Sequence, residues 1–173
     1  MERKFERELE NLKKLLIRMG SVVEENLSMC FDALLKDDEA LAAKVIDADG
    51  KINTLEIEVD NAVIDILALQ QPVASDLRLI IAAQKISNDL ERIGDHAVNI
   101  AESVIGLKET PQQEPLLEIP HMAEITRMML RHALDSFILL DPKLAQSVLE
   151  RDDQIDELNR QMTEQVKIGR AHV

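Results

Sequence analysis

The sequence predicts an all-α protein built as tandem three-helix-bundle repeats, the second repeat missing its third helix. Three observations carry this. The 173 residues are 46% hydrophobic and 31% charged but only 2% aromatic, the composition of long packed helices with Leu, Ile, Val, Met and Ala cores. Apolar residues recur in steps of three and four along most of the chain. The pattern then repeats itself about a hundred residues later. Five Gly and five Pro leave too little punctuation for the turns of a sandwich or barrel.

The first helix carries Phe5, Leu9, Leu12, Leu16, Met19, Val23, Leu27, Cys30 and Leu34 on one face. The acidic cluster Asp37-Asp38-Glu39 ends it, with Asp38 placed to cap the next helix and Glu39 suited to its positive end. In the second helix Leu41, Val45, Ala48, Ile52, Leu55, Val59, Ala62, Ile66 and Leu69 form a coiled-coil-like seam. Pro72 suits the first turn of the third helix, whose apolar face holds Ile86, Leu90, Ile93, Ala97, Ile100 and Val104. Residues 108–120, with three prolines and no periodicity, read as a linker between a first repeat (1–107) and a second (121–167).

A shift of 103 positions superposes Leu41, Val45, Ile52 and Leu55 on Leu144, Val148, Ile155 and Leu158. The same shift takes Asp49 to Asp152 and Met19 to Met122. Each copy is then one supersecondary unit with its apolar seams facing inward. The last residue is the counterpart of Gln70, where the second helix of the repeat ends. A third helix of repeat two is expected to be missing, which would expose a long apolar groove. The tail Ile168–Val173 breaks the heptad and matches the translation of a common sequencing-adapter read. The natural chain is therefore expected to diverge near Val166 or Lys167, leaving 168–173 as a non-native tail.

Charge and cysteine content exclude several functions. A net charge of −13 with no basic patch disfavours nucleic acid and anionic lipid, and no basic pocket for phosphate is visible. Cys30 stands alone on the first seam, so no disulfide framework exists and the thiol reads as core. The charged N-terminus is no signal peptide, and no apolar run approaches the ~20 residues of a membrane span. A soluble, cytoplasmic protein is the expectation.

The chemistry-bearing residues are oxygen donors four apart on helices. Glu91 and Asp95 lie one turn apart on the third helix, with Asn88, Asn99 and Glu102 extending that face opposite its apolar stripe. Asp49 and Asn53 share the spacing beside the seam residue Ile52, and the repeat returns Asp152 and Asp156. Like charges at i and i+4 repel by a few tenths of a kcal/mol, a sign that a cation between two such pairs would reverse. Such donors suit hard ions: Mg, Ca, Mn, or iron. Chance pairs also arise in an acidic helical protein, Glu56 and Asp60 being one, and a solvated face explains them equally well.

The histidines add little. His96 points about 100° away from Asp95. His132 and His172 lack a carboxylate three residues earlier, and Pro120 is expected to spoil the helical geometry of the di-iron-like spacing Glu118-x-x-His121. The Met128-Met129 pair reads as core, and no phosphate loop, nucleophile elbow or CxxC appears. No enzyme is expected.

The run Asn88-Asp89-Leu90-Glu91-Arg92-Ile93-Gly94-Asp95-His96-Ala97-Val98-Asn99-Ile100-Ala101-Glu102, preceded by Pro72-Val73-Ala74-Ser75-Asp76-Leu77-Arg78, resembles the signature of the PhoU family. The resemblance extends from about residue 5 to 166. It implies a cytoplasmic, dimeric helical protein that represses phosphate uptake and the phosphate-starvation response, standing between the phosphate ABC transporter and a sensor histidine kinase. It also implies iron or another hard divalent or trivalent metal ion held by paired (Glu/Asp)-x-x-x-Asp motifs. Asp49/Asn53 with Glu91/Asp95 would form the first site, and Asp152/Asp156 with a partner on the missing helix the second. Asn53 departs from the family's acid and removes one charge. The alternative is a helical metal-binding protein, an iron buffer without signalling duty.

Overall fold

The computed structural model describes residues 2–107 and 118–171, and the side chains of 4–106 and 118–164. The described residues form five helices and no strand: α1 (Glu2–Lys36), α2 (Glu39–Gln70), α3 (Ala74–Leu107), α4 (Glu118–Leu139) and α5 (Pro142–Ala171). They divide into two compact units, Met1–Leu107 and Lys108–Val173. In the first, α1, α2 and α3 each pack on the other two; in the second, α4 packs on α5.

The seam residues are those the periodicity selects. Leu12, Leu16, Met19, Val23, Leu27 and Cys30 of α1 are buried, as are Val45, Ile52, Leu55, Val59 and Ile66 of α2. Burial pushes the Cys30 thiol up to about 11, in keeping with an inert core residue.

The internal repeat is written into the backbone as well as the side chains. Asp37 and Leu140 both take positive φ, at 52° and 53°. The N–H groups of the following Asp38 and Asp141 donate back to Ala33 O and Ser136 O at 3.0 and 2.9 Å, closing α1 and α4 with left-handed caps. Asp38 Oδ1 accepts from Leu41 N–H at 3.0 Å, the cap expected from sequence. Asp141 Oδ1 accepts from Lys143 N–H at 2.8 Å, with Pro142 in the first helical position.

Three boundaries differ from the sequence reading. Pro72 does not open α3, which starts at Ala74. Pro72 disfavours the helical region for Gln71, which turns left-handed at φ 48°, and the chain reverses before Asp76 N–H donates to Val73 O at 3.2 Å. The linker is shorter than 108–120, because α4 begins at Glu118 and contains Pro120; residues 108–117 of that segment lie outside the described residues. First-turn N–H groups have no intrahelical partner, so Pro120 costs the helix nothing there. Finally, α5 runs to Ala171, so the heptad break at Ile168 does not break the backbone helix. His172 and Val173 lie outside the described residues.

Candidate functional site

The buried line of α3 runs through Ile80, Ala83, Ser87, Leu90, Gly94, Ala97, Ala101 and Val104, with Ile86, Ile93 and Ile100 half-buried beside it. The core face therefore sits one position round from the stripe expected. Glu91 and Asp95 flank it rather than oppose it. Gly94 explains why that flank meets α2: a Cβ there would stand 2.9 Å from Ile52 Cδ1 and 3.4 Å from Asp49 Oδ1. The absent side chain lets the two helices approach at this level and sets Asp49 against the Glu91–Asp95 turn.

The result is an acidic groove between α2 and α3. Glu91 is held protonated above the usual carboxylate range, first by partial burial, then by the neighbouring charges of Asp95 and Glu56, a hydrogen bond to Asp95 and the charge of Asp49. Glu56 is raised too, by partial burial and then by Asp60 and Asp95. Four carboxylates from two helices thus feel one another. Sequence reasoning had grouped Glu56 and Asp60 as a chance pair; the signal that joins Glu56 to the site is its position seven residues after Asp49, on the same face. Asn88, Asn99 and Glu102 are exposed on α3, consistent with the expected polar face.

Asn53 changes the α2 half of the groove in kind. Its Nδ2 donates to Asp49 Oδ2 at 3.1 Å, replacing an i,i+4 repulsion with a hydrogen bond. The other oxygen, Asp49 Oδ1, is buried with no hydrogen-bond partner. These oxygens match a hard cation in donor type and in their mutual repulsion. Among the described residues, however, no three carboxylates, histidines or cysteines stand around one point.

Asp152 and Asp156 are exposed on α5 and belong to no such group among the described residues. Their neighbours Asp153 and Glu157, with His121, Gln154 and Leu158, line an open cleft of about 360 Å³ between α4 and α5. Glu118 and His121 do lie on a continuous helix, correcting the expectation that Pro120 would prevent it. His132 Nδ1 lies 3.4 Å from Ser147 Oγ, and His96 is exposed.

A repeated antiparallel helical unit whose chemistry is confined to acid pairs on outer helix faces defines a helical-repeat protein of the regulatory accessory class. The PhoU domain matches residues 16–104 and 119–172, and the chain belongs to the PhoU family. It is 42% identical over 159 residues to the phosphate-specific transport system accessory protein PhoU homolog of Aquifex aeolicus, covering 92% of this chain and 72% of that protein. The PhoU protein of Escherichia coli is 36% identical over 154 residues, with 88% of this chain and 64% of the relative covered. The crystal structure of PhoU from Pseudomonas aeruginosa matches with a TM-score of 0.93 at 36% identity, over 97% of this chain and 81% of that one. PhoU from Streptococcus pneumoniae gives 0.87 at 32% identity, over 95% and 77%. No helix among the described residues is long and apolar enough to cross a membrane.

Proposed function

We propose that this protein is a negative regulator of phosphate uptake and of the phosphate-starvation response. It acts as a cytoplasmic, homodimeric adaptor between the phosphate ABC transporter and a sensor histidine kinase. The observation that carries the reading is the match of both repeats to the PhoU domain, with relatives named as accessory proteins of phosphate-specific transport. An adaptor works by differential affinity: it shifts a transporter or kinase toward the inactive state only by binding that state more tightly. Long rigid helices with an acidic outer face provide surface for this without a catalytic cleft.

A hard cation, iron being one, belongs to the same reading. Asp49, Glu91 and Asp95 would hold it, with Asn53 a neutral oxygen donor, and it would supply positive charge to a groove that now holds only repelling carboxylates. Asp49 Oδ1, buried and partnerless, is the observation in favour. Asp152 and Asp156 are left out because no facing acid accompanies them.

The test is complementation. Expressed in a bacterium lacking its own homologue, the chain should lower phosphate uptake and starvation-gene expression when phosphate is plentiful; unchanged levels overturn the reading. Affinity purification from the same cells separates it from an iron buffer, since an adaptor retains transporter or kinase subunits whereas a buffer retains metal alone.

A further inference from the structure

The acidic groove is one half of a longer surface, and the other half is apolar. The register of α2 against α3 is set by Gly94 opposite Ile52 and Asp49, and by Gln84 Nε2 donating to Asp60 Oδ1 at 3.4 Å. Carried toward the α2–α3 turn, this register brings Ile64 level with Ile81 and Leu67 level with Leu77. Helical geometry keeps these positions on the same outer shoulder as Asp49, Glu56, Asp60, Glu91 and Asp95. The apolar side chains there are not covered: Ile57 is 60% exposed, Ile64 57% and Ile81 48%, and Leu69, Val73 and Leu77 are exposed around the turn. Scattered exposed aliphatics need no explanation, but six on one end of one helix pair do.

The geometry points to a docking surface for a basic amphipathic helix of a partner protein, its apolar turns on Ile57, Ile64 and Ile81 and its Lys or Arg residues in the Asp49–Glu56–Glu91–Asp95 groove. This deepens the adaptor reading and rests on it. Charge complementarity selects the occupant. Asp49 and Ile64 are fifteen residues apart, about 22 Å along the helix, so an occupant must be apolar at one end and cationic about four turns away. A helix laid along α2–α3 has that reach, and helix-in-groove recognition uses such spaced anchors. A second copy of this chain, at −13, would bring acid to acid. An anionic lipid surface would be repelled by the same groove. Arg78, Lys85 and Arg92 recur every seven residues further round α3, with Arg92 paired to Asp89 at 3.6 Å. They bound the surface on one side, so the partner's cations face the α2 side.

The probe is a fluorescent 18-residue helical peptide with Leu at i, i+3, i+4 and i+7 in one half and Lys at i and i+4 in the other, made in both orders. Its binding to the full chain is followed by anisotropy in chelator. One order should bind, and binding should weaken as salt rises. Ile64→Glu and Ile81→Glu should each weaken it at least tenfold, and Glu91→Gln with Asp95→Asn should weaken it and flatten the salt dependence. Thermal melts of the variants verify that the bundle persists. Equal binding of a peptide with Lys replaced by Glu, or no effect of Ile64→Glu, overturns the proposal. So does binding to phosphatidylglycerol vesicles that Ile64→Glu abolishes, which assigns the patch to lipid, or a dimer that Ile64→Glu dissociates, which assigns it to self-association. A chain that binds neither peptide order yet restores repression in the complementation assay overturns the docking assignment alone.

Discussion

Asn26 sits 1% exposed in the α1 face of the core, and neither its Nδ2 nor its Oδ1 has a partner. A buried amide without hydrogen bonds costs roughly 1–3 kcal/mol relative to an apolar group of the same shape. Leu carries the same number of side-chain heavy atoms, so Asn26→Leu should raise the urea midpoint, with a gain of about 1 kcal/mol or more. A lower midpoint would show that the amide has a partner such as a buried water. Gly50 and Gly94 make a second contrast. Both lie inside helices, where Ala is favoured over Gly by about 1 kcal/mol. A Cβ at Gly50 meets nothing within 4 Å, so Gly50→Ala should deliver that gain. At Gly94 the same Cβ must displace the fully buried Ile52 Cδ1, so Gly94→Ala should fall short of Gly50→Ala by about 1 kcal/mol or more. Equal effects in thermal melts would contradict the close approach of α2 and α3.

Between elements, the α2–α3 groove gives stability a pH dependence of unusual sign. Glu91 and Glu56 are raised above their ordinary value of 4.5 in the folded protein. Just above that value the folded chain binds more protons at these sites than the unfolded chain. Stability therefore falls as pH rises through that window and is recovered as pH drops back to it. Glu91→Gln should accordingly melt higher than the parent at neutral pH, and the difference should shrink as pH falls toward 4.5. A pH-independent difference would mean that the other carboxylates do not reach Glu91. The pairs Glu91/Asp95 and Asp49/Asn53 are legible from their spacing. Their convergence is not, because it depends on Gly94, whose lack of a side chain matters only against Ile52 and Asp49 of another helix.

Over the whole molecule, the two units differ sharply in core. Of the 24 fully buried hydrophobic residues among those described, three, Ala123, Ile125 and Leu130, belong to the second. Val148, Ile155 and Leu158 are half-buried there, although their counterparts Val45, Ile52 and Leu55 are buried in the first. A two-helix hairpin covers only part of a seam that three helices close. Residues 1–107 alone should therefore retain a cooperative thermal transition and full helicity, whereas 118–173 alone should lose both at much lower temperature. The comparison is made by circular dichroism, and comparable midpoints would refute it.

Periodicity alone determined the five helices and their buried faces, because a 3.6-residue repeat can bury its apolar residues in only one way. The self-similarity at 103 residues determined the repeat, down to the caps at Asp38 and Asp141, since equal local sequences close helices by equal hydrogen bonds. The acid pairs too were legible, as i,i+4 spacing is a property of one helix. Tertiary structure decided the rest. It set where α3 and α4 begin around Pro72 and Pro120, rotated the α3 core line onto Gly94, and recruited Glu56 to the site. It also placed the apolar half of the α2–α3 surface beside the acidic half. Each of these depends on the distance and register between two helices, which side chains from both elements fix together and which no single stretch of sequence encodes.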